Sequence, residues 1–118
     1  MSYRMLGLLG ILSLFLSFGC AKKDFPLPDH PGGRLFNGAA RGDIRCYRCH
    51  GDVGKGSSRA PTLVHPGQPI DKEMFVKTVL NGRGRMPSFG SALAESDVLQ
   101  IIDWLEKASG SADSPQGK

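Results

Sequence analysis

The sequence predicts a small all-α domain, on three observations. Apolar residues recur at helical spacing in three places, no stretch alternates with period two, and the intervening segments are rich in glycine and proline. The clearest helix comes last. Val98, Ile101, Ile102 and Leu105 fall at i, i+3, i+4 and i+7, one face of a helix ending near Gly110. A second helix is predicted through Met74, Phe75, Val79 and Leu80, with Asp71 as N-cap after Pro69 and Ile70, and Gly82 as the stop. The third is short. Leu35, Phe36 and Ala39 form an apolar face that Gly38 and Gly42 weaken.

With 118 residues, the chain is expected to hold one domain, flanked by segments of other character. Residues 1–19 read as an export signal: Arg4 supplies the positive start and Met5–Phe18 an apolar run short for a membrane span. An uncleaved anchor is the alternative. Cys20 follows Leu16, Ser17, Phe18 and Gly19 in an arrangement that resembles the lipobox of bacterial lipoproteins, which implies diacylation of Cys20 and a lipid anchor. Ser17 stands where that motif prefers an aliphatic residue, so a plain signal peptide is the alternative. Residues 20–31, with Lys22, Lys23, Pro26, Pro28 and Pro31, read as a flexible tether in which His30 is inert. Residues 109–118 read as a disordered tail. The remaining domain, 32–108, has fewer than 80 residues, and a core that small usually needs a disulfide, metal or cofactor.

Cys46-Tyr47-Arg48-Cys49-His50 reads C-x-x-C-H, the attachment pattern of c-type haem. Two thiols at this spacing can add to the two porphyrin vinyl groups, and the adjacent His50 is then placed under the ring as an iron ligand. A Cys46–Cys49 disulfide of thioredoxin type would follow a strand, and none precedes it. Structural zinc wants four ligands in paired clusters, and beyond the motif only His30 and His65 remain. For the sixth iron position the candidates are Met86, Met74, His65 or an open site. Met86 lies in Gly82-Arg83-Gly84-Arg85-Met86-Pro87, a flexible run closed by a rigid proline, which can aim a thioether at iron. Met74 belongs to a helix stripe suited to core packing, and His65 reads as an exposed loop histidine.

On these residues the chain resembles the class I cytochromes c over Gly32–Ala108. The resemblance implies three to five short helices wrapped around one covalently bound haem c with His50 and Met86 on the iron. It implies that Gly32 and Phe36 cross the last helix at Ile101 and Trp104. It also implies that Pro61 and Leu63 form the family's proline-x-leucine loop, with the Pro61 carbonyl bonded to His50. Ala60 and Ala94 depart from the family, which favours a glycine and a capping serine there. Arg59, Asn81, Arg83 and Arg85 are the candidates for holding haem propionates.

The resemblance implies a single-electron carrier rather than an enzyme, a monomer working on the periplasmic side of a bacterial membrane. The alternatives are a haem sensor or catalyst with a labile sixth ligand, and a dedicated electron-delivery subunit of a larger respiratory complex. Removal of Arg4 with the signal lowers the formal charge from +4 to +3, and no interleaving of aromatic and basic residues suggests nucleic acid. Arg34, Arg41, Arg45, Arg48, Lys55 and Arg59 face only Asp43 and Asp52 in that half, a bias that could steer an acidic redox partner.

Overall fold

A computed structural model describes residue 19 and residues 24–110. Among them the elements are α1 (Pro31–Phe36), α2 (Tyr47–His50), α3 (Lys72–Asn81) and α4 (Glu95–Ser109), with no strand beyond two isolated bridges. The helix α4 is the base on which α1 and α3 pack. Its Val98, Ile101, Ile102, Trp104 and Leu105 are all buried, which is the stripe that the spacing predicts with Trp104 added. The helix closes on Gly110 in the left-handed conformation (φ 68°), and Ser109, counted with the tail in the sequence reading, is its last residue.

Helix α1 can sit on α4 only because two glycines follow its first residue, Pro31. A Cβ at Gly32 would fall inside the Gln100 carbonyl, and one at Gly33 would lie 2.5 Å from the indole nitrogen of Trp104. One turn onward, Phe36 meets Trp104 with ring centroids 5.0 Å apart. The predicted apolar face does not reach Ala39. The helix stops at Phe36, Gly38 turns the chain at φ 83°, and Ala39 is exposed. Ile44, in the loop that follows, fills the core place instead.

Helix α3 starts where the sequence indicates, with the Asp71 carboxylate accepting from the Met74 N–H at 3.1 Å, and it stops at Gly82 (φ 76°). Val79 is buried and Phe75, Val76 and Leu80 are partly so. Met74, assigned above to core packing, is instead 57% exposed. It stands one turn into the helix, on the side that borders the cavity described below.

The expected tether is not free from Phe25 onward. Burial of Trp104 requires an acceptor for its N–H, and the Pro26 carbonyl supplies it at 2.9 Å. Phe25 packs edge-on against Tyr47, with centroids 5.2 Å apart. His30 is not inert: its Nδ1 accepts from the Gly32 N–H at 3.1 Å, capping α1, and its Nε2 lies 2.8 Å from the Asp103 carboxylate. The Lys107 ammonium, and then the His30 imidazole, hold the Asp103 carboxyl below the usual carboxylate range. A lowered value means that this contact is present at neutral pH and is lost as pH falls through that value. The rest of the expected signal, the beginning of the tether and residues 111–118 lie outside the described residues.

Two outcomes follow from these joints. Gly32→Ala forces α1 off the Gln100 backbone, and thermal or denaturant melting should show a loss of about 3 kcal/mol, the upper end for overpacking. At the start of α4, Asp97 accepts from the Ala94 N–H at 2.9 Å, but Ala94 has no oxygen with which to return a bond. Ala94→Ser completes the reciprocal pair and should raise stability by about 1 kcal/mol.

Candidate functional site

The site is built on α2, a single helical turn. Cys46 is its N-cap, and its carbonyl accepts from the N–H of His50 at 2.9 Å. So short a helix has little stability of its own. It is fastened from below by Gly56 N–H to His50 O (2.7 Å) and by the Ser57 hydroxyl to Cys49 O (2.5 Å). Gly51 makes this possible: its φ is 79°, and a Cβ would stand 2.7 Å from the Gly56 carbonyl. Cys46 and Cys49 are not bridged to each other. Cys49 is exposed, whereas burial pushes the Cys46 thiol up to about 11.

His50 is buried, and its Nδ1 lies 3.0 Å from the Pro61 carbonyl oxygen. A carbonyl can only accept, so Nδ1 is the donor, and in the neutral ring Nε2 then holds the free lone pair. That is the tautomer a metal-ligating histidine needs, with its orientation fixed by a backbone group. The loop that carries Pro61 is itself held by Leu63 N–H to Gly54 O (2.7 Å) and by the Thr62 hydroxyl, 2.8 Å from the Val64 carbonyl. No sequence signal distinguishes Thr62, although its side chain ties this loop.

Beside His50 lies a cavity of about 420 Å³ with mostly apolar walls. Cys46, Leu63, Phe36 and Ile101 line it from one set of elements, and Phe75, Val79 and Met86 from another. Met86 reaches it from a tight hairpin rather than a flexible run. Arg83 and Met86 exchange both backbone bonds at 3.0 and 2.9 Å, with Gly84 turning at φ 57°. The hairpin is fastened to the end of α3 by Phe89 N–H to Val79 O (2.9 Å), Gly90 N–H to Leu80 O (3.0 Å) and the Ser88 hydroxyl to Leu80 O.

Of the other candidates, Met74, His65 and Arg83 border the cavity. Arg59, Asn81 and Arg85 are exposed and do not, although Asn81 shares a smaller hollow of about 270 Å³ with Arg83 and Lys77. Among the described residues there is no group of three or more His, Cys, Asp or Glu side chains that could hold a metal ion. The donor set fits a porphyrin: the Cys46 thiol and the His50 imidazole line an apolar hollow, and the exposed Cys49 lies on the same helical turn.

Helices crossing at paired glycines over an apolar hollow, with C-x-x-C-H on its edge, define a class I c-type cytochrome with one covalently bound haem c. Residues 33–105 match the family described as "Cytochrome C oxidase, cbb3-type, subunit III", and the chain belongs to that family. It is similar to cytochrome c-555 of Methylococcus capsulatus, at 42% identity over 61 residues, covering 52% of this chain and 47% of that one. The chain thus spans about half the length of this curated relative. Among solved structures, the c-type cytochrome XoxG of Methylobacterium extorquens AM1 aligns at TM-score 0.52 and 24% identity, over 70% of this chain and 51% of that one. Cytochrome c6 of the diatom Phaeodactylum tricornutum aligns at 0.50 and 21%, over 69% and 94%. At these identities the two structures show the shared fold.

Covalent attachment gives a direct outcome. On a denaturing gel stained for haem peroxidase activity, the wild-type band should stain. Cys46→Ala/Cys49→Ala should lose all stain while the polypeptide remains visible.

Proposed function

We propose that the chain is an exported, lipid-anchored, monomeric carrier of single electrons whose haem iron is held by His50 and Met86. The observation that carries this reading is that an imidazole with its Nε2 lone pair available and a thioether line one apolar cavity. Bound there, the haem would supply a one-electron couple, and a thioether ligand biases such a couple towards ferrous iron. The Pro61 carbonyl keeps the His50 ring from turning and raises its basicity. The Arg83–Met86 hairpin keeps the thioether in place through backbone bonds that do not depend on the iron's charge. Leu63, Phe75, Val79 and Ile101 exclude water, which limits the rearrangement that accompanies a change of charge.

Exposed Arg34, Arg45, Arg48, Lys55 and Arg59 favour a redox partner with an acidic face, met in a small, transient contact. Arg41 contributes less, because Asp43 pairs with it at 3.0 Å. No helix among the described residues is long and apolar enough to cross a membrane. The anchor in this reading is lipid on Cys20, on the periplasmic side of a bacterial membrane, following the leader-like residues before it.

Optical spectra of the oxidised and reduced protein, with and without carbon monoxide, test the ligands. The wild type should be low-spin and resist carbon monoxide. Met86→Ala should become high-spin, bind carbon monoxide and lose potential; an unchanged spectrum and potential would remove Met86 from the iron. The intact mass of the mature N-terminus separately tests acylation of Cys20.

A further inference from the structure

The Pro61 carbonyl that bonds His50 is one half of a rigid peptide plane whose other half belongs to Thr62. That carbonyl can leave Nδ1 only if the whole plane turns. The Pro61 ring locks its own φ, which leaves the ψ of Pro61 and the φ of Thr62 as the rotations that could move the plane. Thr62 is tied at this point. Its hydroxyl lies 2.8 Å from the Val64 carbonyl and 3.1 Å from the Gly54 carbonyl, and it accepts from the Val64 N–H at 3.3 Å. The one O–H proton is available to either carbonyl while the oxygen takes the N–H, so a single half-buried side chain joins three backbone groups. One face of the plane is closed as well. A Cβ at Gly56 would stand 2.7 Å from the Thr62 nitrogen and 3.2 Å from the Pro61 carbonyl carbon, so bare backbone lies against it. The same Gly56 donates to the His50 carbonyl at 2.7 Å, and Leu63 donates to the Gly54 carbonyl at 2.7 Å. The turn 51–56 is therefore bonded to His50 at one end and to the Pro61 loop at the other.

We infer that Thr62 is a positioning residue for His50: its hydroxyl holds the Pro61–Thr62 peptide plane, keeps the Pro61 carbonyl on the His50 Nδ1–H, and through that bond lowers the midpoint potential. The hydroxyl acts at one remove, through the backbone. A carbonyl that accepts from Nδ1–H makes the imidazole a stronger electron donor at Nε2. Stronger donation favours the more highly charged, ferric iron. In Thr62→Val a methyl group would face the two carbonyl oxygens that the hydroxyl now meets, and the plane would lose its tie to Gly54 and Val64. The inference rests on the reading that His50 ligates the haem iron.

Proton NMR of the reduced, haem-loaded full chain at fixed pH tests it, together with the midpoint potential. Thr62→Val should speed exchange of the His50 Nδ1 proton with deuterated water about tenfold, the effect of one hydrogen bond lost with its partners left unmet. The potential should rise. Thr62→Ser, which keeps the hydroxyl, should restore both values. Thr62→Ala removes the same hydroxyl in a smaller side chain and should match Thr62→Val, and it replaces that variant if the valine does not fold. A loop that merely loosens would admit water, which favours the ferric state and lowers the potential. A fall in potential in the variants without a hydroxyl therefore overturns the inference, as does exchange like the wild type or a Thr62→Ser that restores neither value. Ligation is read separately in the same spectra. His50 ring protons without the upfield shift of a ligand beneath a porphyrin would overturn that reading, and the exchange comparison would still decide whether Thr62 steadies the Nδ1 contact.

Discussion

Where α1 crosses α4, backbone lies against backbone. Gly32 rests on the Gln100 carbonyl and Gly33 on the Trp104 indole, with no room for a methyl group at either place. Among the described residues, α1 and the loop that follows it take their position from that joint. It seats Phe36 against Trp104, so that both are fully buried and Phe36 also forms part of the cavity wall. It sets where the loop through Ile44 must begin, and that loop delivers Cys46 to the cavity's edge. The same helix α4 that receives the glycines presents Ile101 to the cavity. The crossing therefore fixes the separation between the attachment motif and the wall opposite it.

The two side chains proposed as iron ligands share a design principle. Each is held by main-chain groups of a loop rather than by neighbouring side chains. His50 leans on a proline carbonyl, and Met86 is held in a hairpin whose bonds are between backbone atoms. Backbone groups carry no charge to titrate and have few alternative rotamers, so a loop of this kind keeps its geometry when a nearby charge changes. The glycines at 51, 82 and 84 are the means: each takes a positive φ that lets the chain double back on itself.

The sequence disclosed what depends on local pattern. The stripe of α4, the Asp71 cap and Gly82 stop of α3, and the motif Cys46–His50 are all periodicities or spacings, and each has a local physical cause. Membership in the family made the crossing and the Pro61 contact visible before any coordinates. What stayed hidden was set by distant partners. Nothing near Pro26 announces that its carbonyl will meet an indole 78 positions later, so a proline-rich stretch reads as a tether. Ile44 takes the core place expected of Ala39 because Gly38 turns the chain, and the spacing of apolar residues cannot show where a six-residue helix ends. Met74 lies on an apolar stripe whose neighbour is a cavity rather than another helix, a distinction that periodicity does not contain.

The docking of Phe25 on Tyr47 also shortens the leash. Were Cys20 acylated as proposed, only the stretch from Cys20 to Phe25 would span the gap between the lipid and the folded domain, and five residues reach at most ~18 Å even when fully drawn out. With an acyl group on Cys20, the cytochrome would not sweep a wide hemisphere above the bilayer. It would ride close to the headgroups, turning about a short pivot beside its own haem-attachment turn. Such a carrier could serve only partners that project their redox centres near the same surface, and its reach would be set by lateral diffusion in the membrane.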